Sequence, residues 1–371
     1  MAMGKIRKMF PGNNTCEGFY SFYHQMIYFS AEKVFILKGG PGSGKSTLMK
    51  KIGAEIVNRG FNAEYHYCSS DNESLDGLVF PCLKMAILDG TAPHVVDPKY
   101  PGVVETMVNL GDFWVEHTLR KNKERIMELS KQKGQMFRLA YDHLREVKVV
   151  QDQLERYHQE ALDVVGVRKL LFFVKESVFN SITPQFTKPC AVRRLFASAN
   201  TSRGYVHHLD SILQDVRKLY LLRGEVGTGK AGFLSAIYYE AANRGINLEV
   251  YHCPFQPSRI ELLYLPQLAI GFLRVDEPLE YEPVNLHSLQ VCRELDFDQC
   301  LKTKELIVYQ QEKQEAKKRL LFLREEAWDK LKMAKVYHDQ LEKLYFPAMN
   351  FEDVNQKREE LISKILSSSL T

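Results

Sequence analysis

Residues 33–60 read KVFILKGGPGSGKSTLMKKIGAEIVNRG, and residues 218–245 read KLYLLRGEVGTGKAGFLSAIYYEAANRG. In each copy an apolar run suited to a buried strand meets a glycine-rich turn. A stretch with apolar residues at three-and-four spacing follows, the pattern of an amphipathic helix. The offset is 185 (218 − 33), and it continues without a gap: Cys68 falls on Cys253 and Pro81 on Pro266. Upstream, FPGNNTCEGFYSF from Phe10 matches FASANTSRGYVHH from Phe196, and downstream DQLE recurs at Asp152 and Asp339. The chain reads as a tandem of two homologous halves. Pro184 and Pro189 punctuate the stretch between them and place the division near residue 185, giving domains of 1–185 and 186–371.

A chain of 371 residues with 45% hydrophobic content can bury two cores. Within each half a strand, a glycine loop, a helix, a second strand (AEYHYC; LEVYHC) and a third apolar stretch follow one another. That alternation predicts an α/β fold with a parallel sheet covered by helices. Each half then turns helical, over about 114–165 and about 301–345, with almost no Gly or Pro and with Lys, Glu, Gln and Leu in abundance. Two accounts fit these segments: an amphipathic bundle packed on its own domain or on its twin, and a projecting coiled-coil arm that binds a partner or self-associates. Gly134 offers a point at which the first segment could fold into a shorter antiparallel pair.

Fifty basic against 46 acidic residues give a net charge of only +4. This balance argues against a dedicated nucleic-acid binder. Seven cysteines form no CxxC pair, so reduced thiols, no zinc site and a cytoplasmic location are expected. The opening MAMGKIRKMFPGNNT has no apolar region behind its basic residues, and no stretch approaches the ~18 apolar residues of a membrane span.

The turn Gly39-Gly40-Pro41-Gly42-Ser43-Gly44-Lys45-Ser46 satisfies GxxxxGK[ST], with a strand before it and a helix after it. Such a loop folds its backbone N–H groups into a nest for phosphate oxygens, helped by the partial positive charge of the helix N-terminus. Lys45 is expected to reach the β- and γ-phosphates, Ser46 to ligate Mg²⁺, and Thr47 to lie beside the site. Asp89, closing LKMAILD, is the candidate for a second Mg²⁺ contact; a turn-capping role in DGTAP is its alternative. Gly90 follows it, so a water-activating carboxylate must come from elsewhere, or hydrolysis is slow. Asp71 and Glu73 in CSSDNE, and His94, are the candidates for that role or for taking a proton from an acceptor hydroxyl. Loop residues that cap the next helix are the competing account for each.

The repeat permits a comparison within one chain. Gly224, Gly227, Gly229 and Lys230 keep the second loop, but Ala231 replaces the hydroxyl of Ser46 and Arg274 stands at the position of Asp89. Pro254-Phe255-Gln256 replaces Ser69-Ser70-Asp71. One working site and a degenerate copy are therefore expected.

Together MFPGNNTCEGFYSFY, KGGPGSGKSTLMKKIG, YCSSDNESLDGL and ILDGTAPHVVDP resemble a family of bacterial tandem P-loop ATPases, some described as nucleotide kinases, within the P-loop nucleoside triphosphate hydrolases. The resemblance covers the whole chain and implies that fold, with residues 39–47 as the nucleotide loop. It implies no substrate. Without an NKxD-like base-reading motif, ATP is expected over GTP. Three functions fit: an Mg²⁺-dependent ATPase that moves its helical segments, a small-molecule or nucleotide kinase using Asp71 as acceptor base, and a non-catalytic nucleotide sensor.

Overall fold

The computed structural model describes residues 3–92, 95–184 and 189–367; the division expected at residue 185 lies outside the described residues. The first half begins with β1 (Ile6–Met9) and the hairpin β2 (Gly12–Thr15) and β3 (Gly18–Ser21). Then come β4 (Lys33–Lys38), α1 (Lys45–Asn58), β5 (Ala63–Tyr67), β6 (Leu75–Phe80), β7 (Met85–Asp89) and β8 (Glu105–Asn109). Three helices follow: α2 (Glu116–Lys121), α3 (Lys123–Glu160) and α4 (Val164–Phe179). The second half repeats the plan with β9 (Val192–Leu195), β10 (Ser198–Thr201), β11 (Gly204–His207), α5 (Leu209–Ile212) and β12 (Lys218–Arg223). It continues through α6 (Lys230–Asn243), β13 (Leu248–His252), β14 (Ile260–Leu265), β15 (Ile270–Val275) and β16 (Val291–Asp296), and closes with α7 (Gln310–Tyr345) and α8 (Phe351–Ser367).

Each half builds a six-stranded sheet, ordered β1-β5-β6-β7-β4-β8 and β9-β13-β14-β15-β12-β16, so the two are strand-for-strand copies. The sheets are mixed, which corrects the expected all-parallel arrangement. The apolar stretch 75–89 is a hairpin: β6 runs antiparallel to β5 and to β7, with Lys84 in the left-handed conformation (φ +53°) at its turn. The inner strand β4, between β7 and β8, is buried on both faces. Phe35 and Leu37 pack with α1, while Val34 and Ile36 pack with Tyr23 and Met26 on the other side. A strand covered twice reads as a continuous apolar run.

Beyond the sheets the helices exchange partners. Val174, Val178 and Phe179 of α4 pack with α6 and the second sheet. Val354, Leu361 and Ile365 of α8 pack with α1 and the first sheet. Burying each of those aliphatic side chains is worth ~1.5–3 kcal/mol relative to exposure, so three hold α8 firmly. Between the exchanged helices, α3 runs unbroken through Gly134 and packs lengthwise on α7. The pair is antiparallel: Arg125 donates to Gln340, and Arg319 to Gln153. Its core joins Leu144, Val147 and Leu154 to Ala316, Leu320 and Ala327, with Phe255 of the second half beneath.

The two halves meet along the segments that repeat upstream of each loop. Phe10 and Phe196 exchange backbone hydrogen bonds of 3.0 Å each. Asn14 donates to the Asn200 carbonyl and Asn200 to the Asn14 carbonyl. Beside them Arg193 bridges Glu64 bidentately at 2.9 and 2.7 Å, and Arg7 reaches Glu249 and, at 3.3 Å, Glu64. Arg7 and Arg193 are repeat counterparts, as are Glu64 and Glu249, so the buried cluster is itself two-fold. Burial disfavours the Glu64 carboxylate, but Arg193, His66 and Arg7 hold its pKa well below the usual carboxylate range. Leaving one of these charges without its partner would cost ~3–5 kcal/mol.

Candidate functional site

The loop at residues 39–44 runs from the C-terminal end of β4 to the N-terminus of α1. Gly42 and Gly44 adopt φ of +66° and +85°, a region open to glycine and costly for side chains with a Cβ. Ser43 Oγ tightens the turn by donating to the Gly40 carbonyl at 2.8 Å. Lys45 folds back over the loop, its Nζ donating to the carbonyls of Gly39 at 2.7 Å and Gly40 at 3.0 Å. Parallel pairing of β4 with β7 sets Leu37 beside Asp89, and the Asp89 carboxylate comes to 3.7 Å from Lys45 Nζ. Asp89 also accepts the Thr91 N–H at 2.9 Å, and Thr91 Oγ1 donates to the Gly39 carbonyl. The turn-capping role and the proximity to Lys45 thus coexist in one residue.

Ser46 Oγ accepts the Leu75 N–H at 3.0 Å, and Thr47 is exposed. Among the described residues, no three His, Cys, Asp or Glu side chains form a metal cage of their own. The Ser46 hydroxyl and the Asp89 carboxylate are oxygen donors of the kind a hard cation such as Mg²⁺ takes.

Asp71 and Glu73 have other partners. Asp71 accepts from Ser74 Oγ at 2.8 Å and the Glu73 N–H at 3.3 Å, and it lies 3.7 Å from Lys335 of α7. Glu73 is exposed and pairs with Arg203 of the second half at 2.7 Å. His94 lies outside the described residues.

Sequence reasoning passed over three groups beside the loop. Asp76 on β6 is buried, and burial pushes its carboxyl up to about 7; hydrogen bonds from Tyr23 and Cys68 and the charge of Lys45 oppose the rise, and Asp89 adds to it. Within LDGLVF it had the look of one polar residue in an apolar run. Lys133 of α3 has its pKa lowered by burial and feels both Glu342 and Lys45. Glu342 of α7 lies against the loop itself: a Cβ on Gly42 would stand 3.1 Å from the Glu342 carbonyl oxygen and 3.5 Å from its Cβ. His338, first, and then Lys335 and the Gly42 N–H hold the Glu342 carboxyl below its ordinary value, against burial. The one signal for Glu342 was the recurrence of DQLE, which sets it opposite Glu155.

The second loop keeps the backbone and changes the charges. Gly227 and Gly229 again have positive φ, +82° and +95°, and Lys230 donates to the carbonyls of Gly224 and Glu225 at 2.6 Å each. Here Asp276 takes Lys230 at 3.1 Å and Arg274 at 2.6 Å. Asp276, two residues beyond the Asp89 position, therefore supplies a carboxylate, and Arg274 is committed to it. Burial lowers the Lys230 pKa, with Asp276 opposing. Glu225, at the position of Gly40, pairs with Lys317 of α7.

Comparison with known proteins adds one partial match. Residues 14–86 match the family model described as Nephrocystin 3, N-terminal. The matched stretch takes in the glycine loop, α1, Asp71, Glu73 and Asp76, and ends just before Asp89. It is a similarity over a minority of the chain. No curated protein sequence matches the chain. No solved structure does either. No described helix is long and apolar enough to cross a membrane.

Proposed function

We propose that the chain is a cytoplasmic tandem P-loop protein that binds ATP and hydrolyses it, with Mg²⁺, at one site in its first half. The observation that carries the reading is the placement of Lys45. It stands at the first turn of α1, behind two glycines of positive φ and 3.7 Å from a carboxylate on the neighbouring strand. A strand, a glycine nest, a lysine, a hydroxyl and an adjacent acidic strand end are the parts that cradle and neutralise a triphosphate. In this reading the loop N–H groups and Lys45 hold the β- and γ-phosphates. Ser46 and Asp89 hold the Mg²⁺, which supplies charge neutralisation when bound. The second loop is a degenerate copy whose cations are already paired. The α3–α7 pair, read as a coiled-coil arm, is the element through which the cycle reaches a protein partner or a second copy.

A non-catalytic sensor is the second reading, favoured because Gly90 rather than a glutamate follows Asp89. The kinase reading would need Asp71 to leave Ser74 and Lys335. Mg²⁺-dependent phosphate release from ATP by the purified protein, beside Lys45→Ala and Lys230→Ala, separates them. Loss of turnover by ~10²-fold or more in Lys45→Ala, with Lys230→Ala near wild type, is the expected result. Loss in both variants would sink the single-site reading. Nucleotide binding without release would favour the sensor, and release only with an added acceptor the kinase.

A further inference from the structure

The first loop does not face open solvent; the end of α7 and the start of α8 lie over it. A Cβ on Gly40 would come 2.7 Å from the Tyr345 ring, one on Gly42 3.1 Å from the Glu342 carbonyl oxygen, and one on Gly44 3.4 Å from the Phe351 ring. These three residues of the C-terminal helices thus abut the three loop positions whose N–H groups a phosphate chain would use. Lys45 meanwhile bonds its own loop carbonyls. Glu342 brings the only formal negative charge among the three residues, and its neighbours include His338 at 3.6 Å.

The second loop provides a built-in control. Glu155 of α3 is the repeat counterpart of Glu342, and the helix backbone presses harder there: a Cβ on Gly227 would lie 2.5 Å from the Glu155 carbonyl oxygen. Its carboxylate is tied to Arg259, which also reaches Asp152 at 3.3 Å. The first-half counterpart of Arg259 is Ser74, which has no charge to clamp Glu342.

We infer that Glu342 is a movable anionic stopper on the first loop: its carboxylate and the nucleotide phosphates exclude one another, so ATP binding lifts the end of α7 from the loop. This deepens, and rests on, the phosphate-binding reading. Two like charges cannot share one nest at close range without a cost of several kcal/mol in a partly desolvated site. The release is passed along a rigid 36-residue helix that packs lengthwise on α3 and also reaches the second half, through Lys317 to Glu225 and Trp328 to Asn200. In the second half the Arg259 clamp and the tighter backbone contact keep the corresponding gate shut.

The test is equilibrium binding of a fluorescent ATP analogue with Mg²⁺ to wild type, Glu342→Gln, Glu342→Ala and Lys45→Ala. Removing the competing carboxylate should tighten binding about tenfold in both Glu342 variants, the size of one charge-assisted hydrogen bond. A second readout follows the helix. The Trp114 and Tyr345 rings lie 6.0 Å apart, and Trp328→Phe leaves Trp114 as the sole tryptophan. Its fluorescence should change as ATP is added. Unchanged affinity in both Glu342 variants, with a Trp114 signal indifferent to ATP, would overturn the stopper even where Lys45→Ala abolishes binding. Lys45→Ala binding as well as wild type would instead remove the phosphate reading, and the stopper with it.

Discussion

The two loops differ in where their charges are spent. In the second, several charged groups near the nest are ion-paired: Lys230 and Arg274 share Asp276, Glu225 pairs with Lys317, and Glu155 with Arg259. In the first, Lys45 rests on loop carbonyls with Asp89 at the long distance of 3.7 Å, and Ser46 keeps a hydroxyl where Ala231 has none. The apolar frames are copies, strand for strand, while the polar groups have been reassigned. A duplicated core is kept by packing, which constrains each half equally; the partly exposed polar groups around each loop are not held by that constraint.

The sharpest way to break the comparison is to force the second site toward the first. Arg274→Asp places a carboxylate beside Asp276 and near Glu261 and leaves Asp276 with Lys230 alone, so it should cost ~3–5 kcal/mol in urea unfolding. Adding Ala231→Ser should confer no Mg²⁺-dependent turnover on a Lys45→Ala background. A tolerated double variant that hydrolysed ATP would mean that two side chains alone separate the halves.

Next in size is Phe255, which stands where the first half has Ser70. Phe255 is buried beneath the helix pair, so Phe255→Ala should cost ~3 kcal/mol by cavity formation. Ser70→Ala should stay within ~0.5 kcal/mol. Equal losses at the two positions would show that the helix pair leans on both halves alike.

The smallest effect is a pH dependence at Glu261, the second-half counterpart of Asp76. Burial pushes its carboxyl up to about 7, against hydrogen bonds from Ser198 and Tyr205 and the nearby Arg274 charge. Its folded pKa lies above the unfolded value, so the folded state binds the extra proton between them. The group's contribution is complete below the unfolded pKa and is lost as pH rises through 7. Glu261→Gln should therefore gain a few degrees in Tm relative to wild type on going from pH 5 to pH 8.5. A Tm difference that did not change with pH would refute this.

The strand–loop–helix units were legible because their determinants are local: an apolar run, glycines at fixed spacing, a lysine, three-and-four periodicity. The changed side chains of the second loop were legible for the same reason, since the repeat aligned Ser46 with Ala231 and Asp89 with Arg274. Reversal of β6 was not, because LDGLVF and MAILD are both buried on two faces and no glycine or proline pair marks the turn at Lys84. Asp76 was hidden by the same apolar run. The placing of Glu342 and Tyr345 depends on α7 returning some 300 residues later to lie on a loop, a long-range pairing that local periodicity does not encode. Asp71 and Glu73 showed as polar loop residues, but their partners Lys335 and Arg203 come from the other half.

The exchange of α4 and α8 carries a consequence for a single copy of the repeat. Each sheet is roofed by a helix that the other half's sequence supplies, so a single copy would leave a row of aliphatic side chains bare beside α1 or α6. A protein of half this length could cover that row only by borrowing the helix of an identical neighbour, the exchange that this chain makes internally. Within one chain the two loops need not carry identical side chains, and across the repeat Ser46 meets Ala231 and Asp89 meets Arg274.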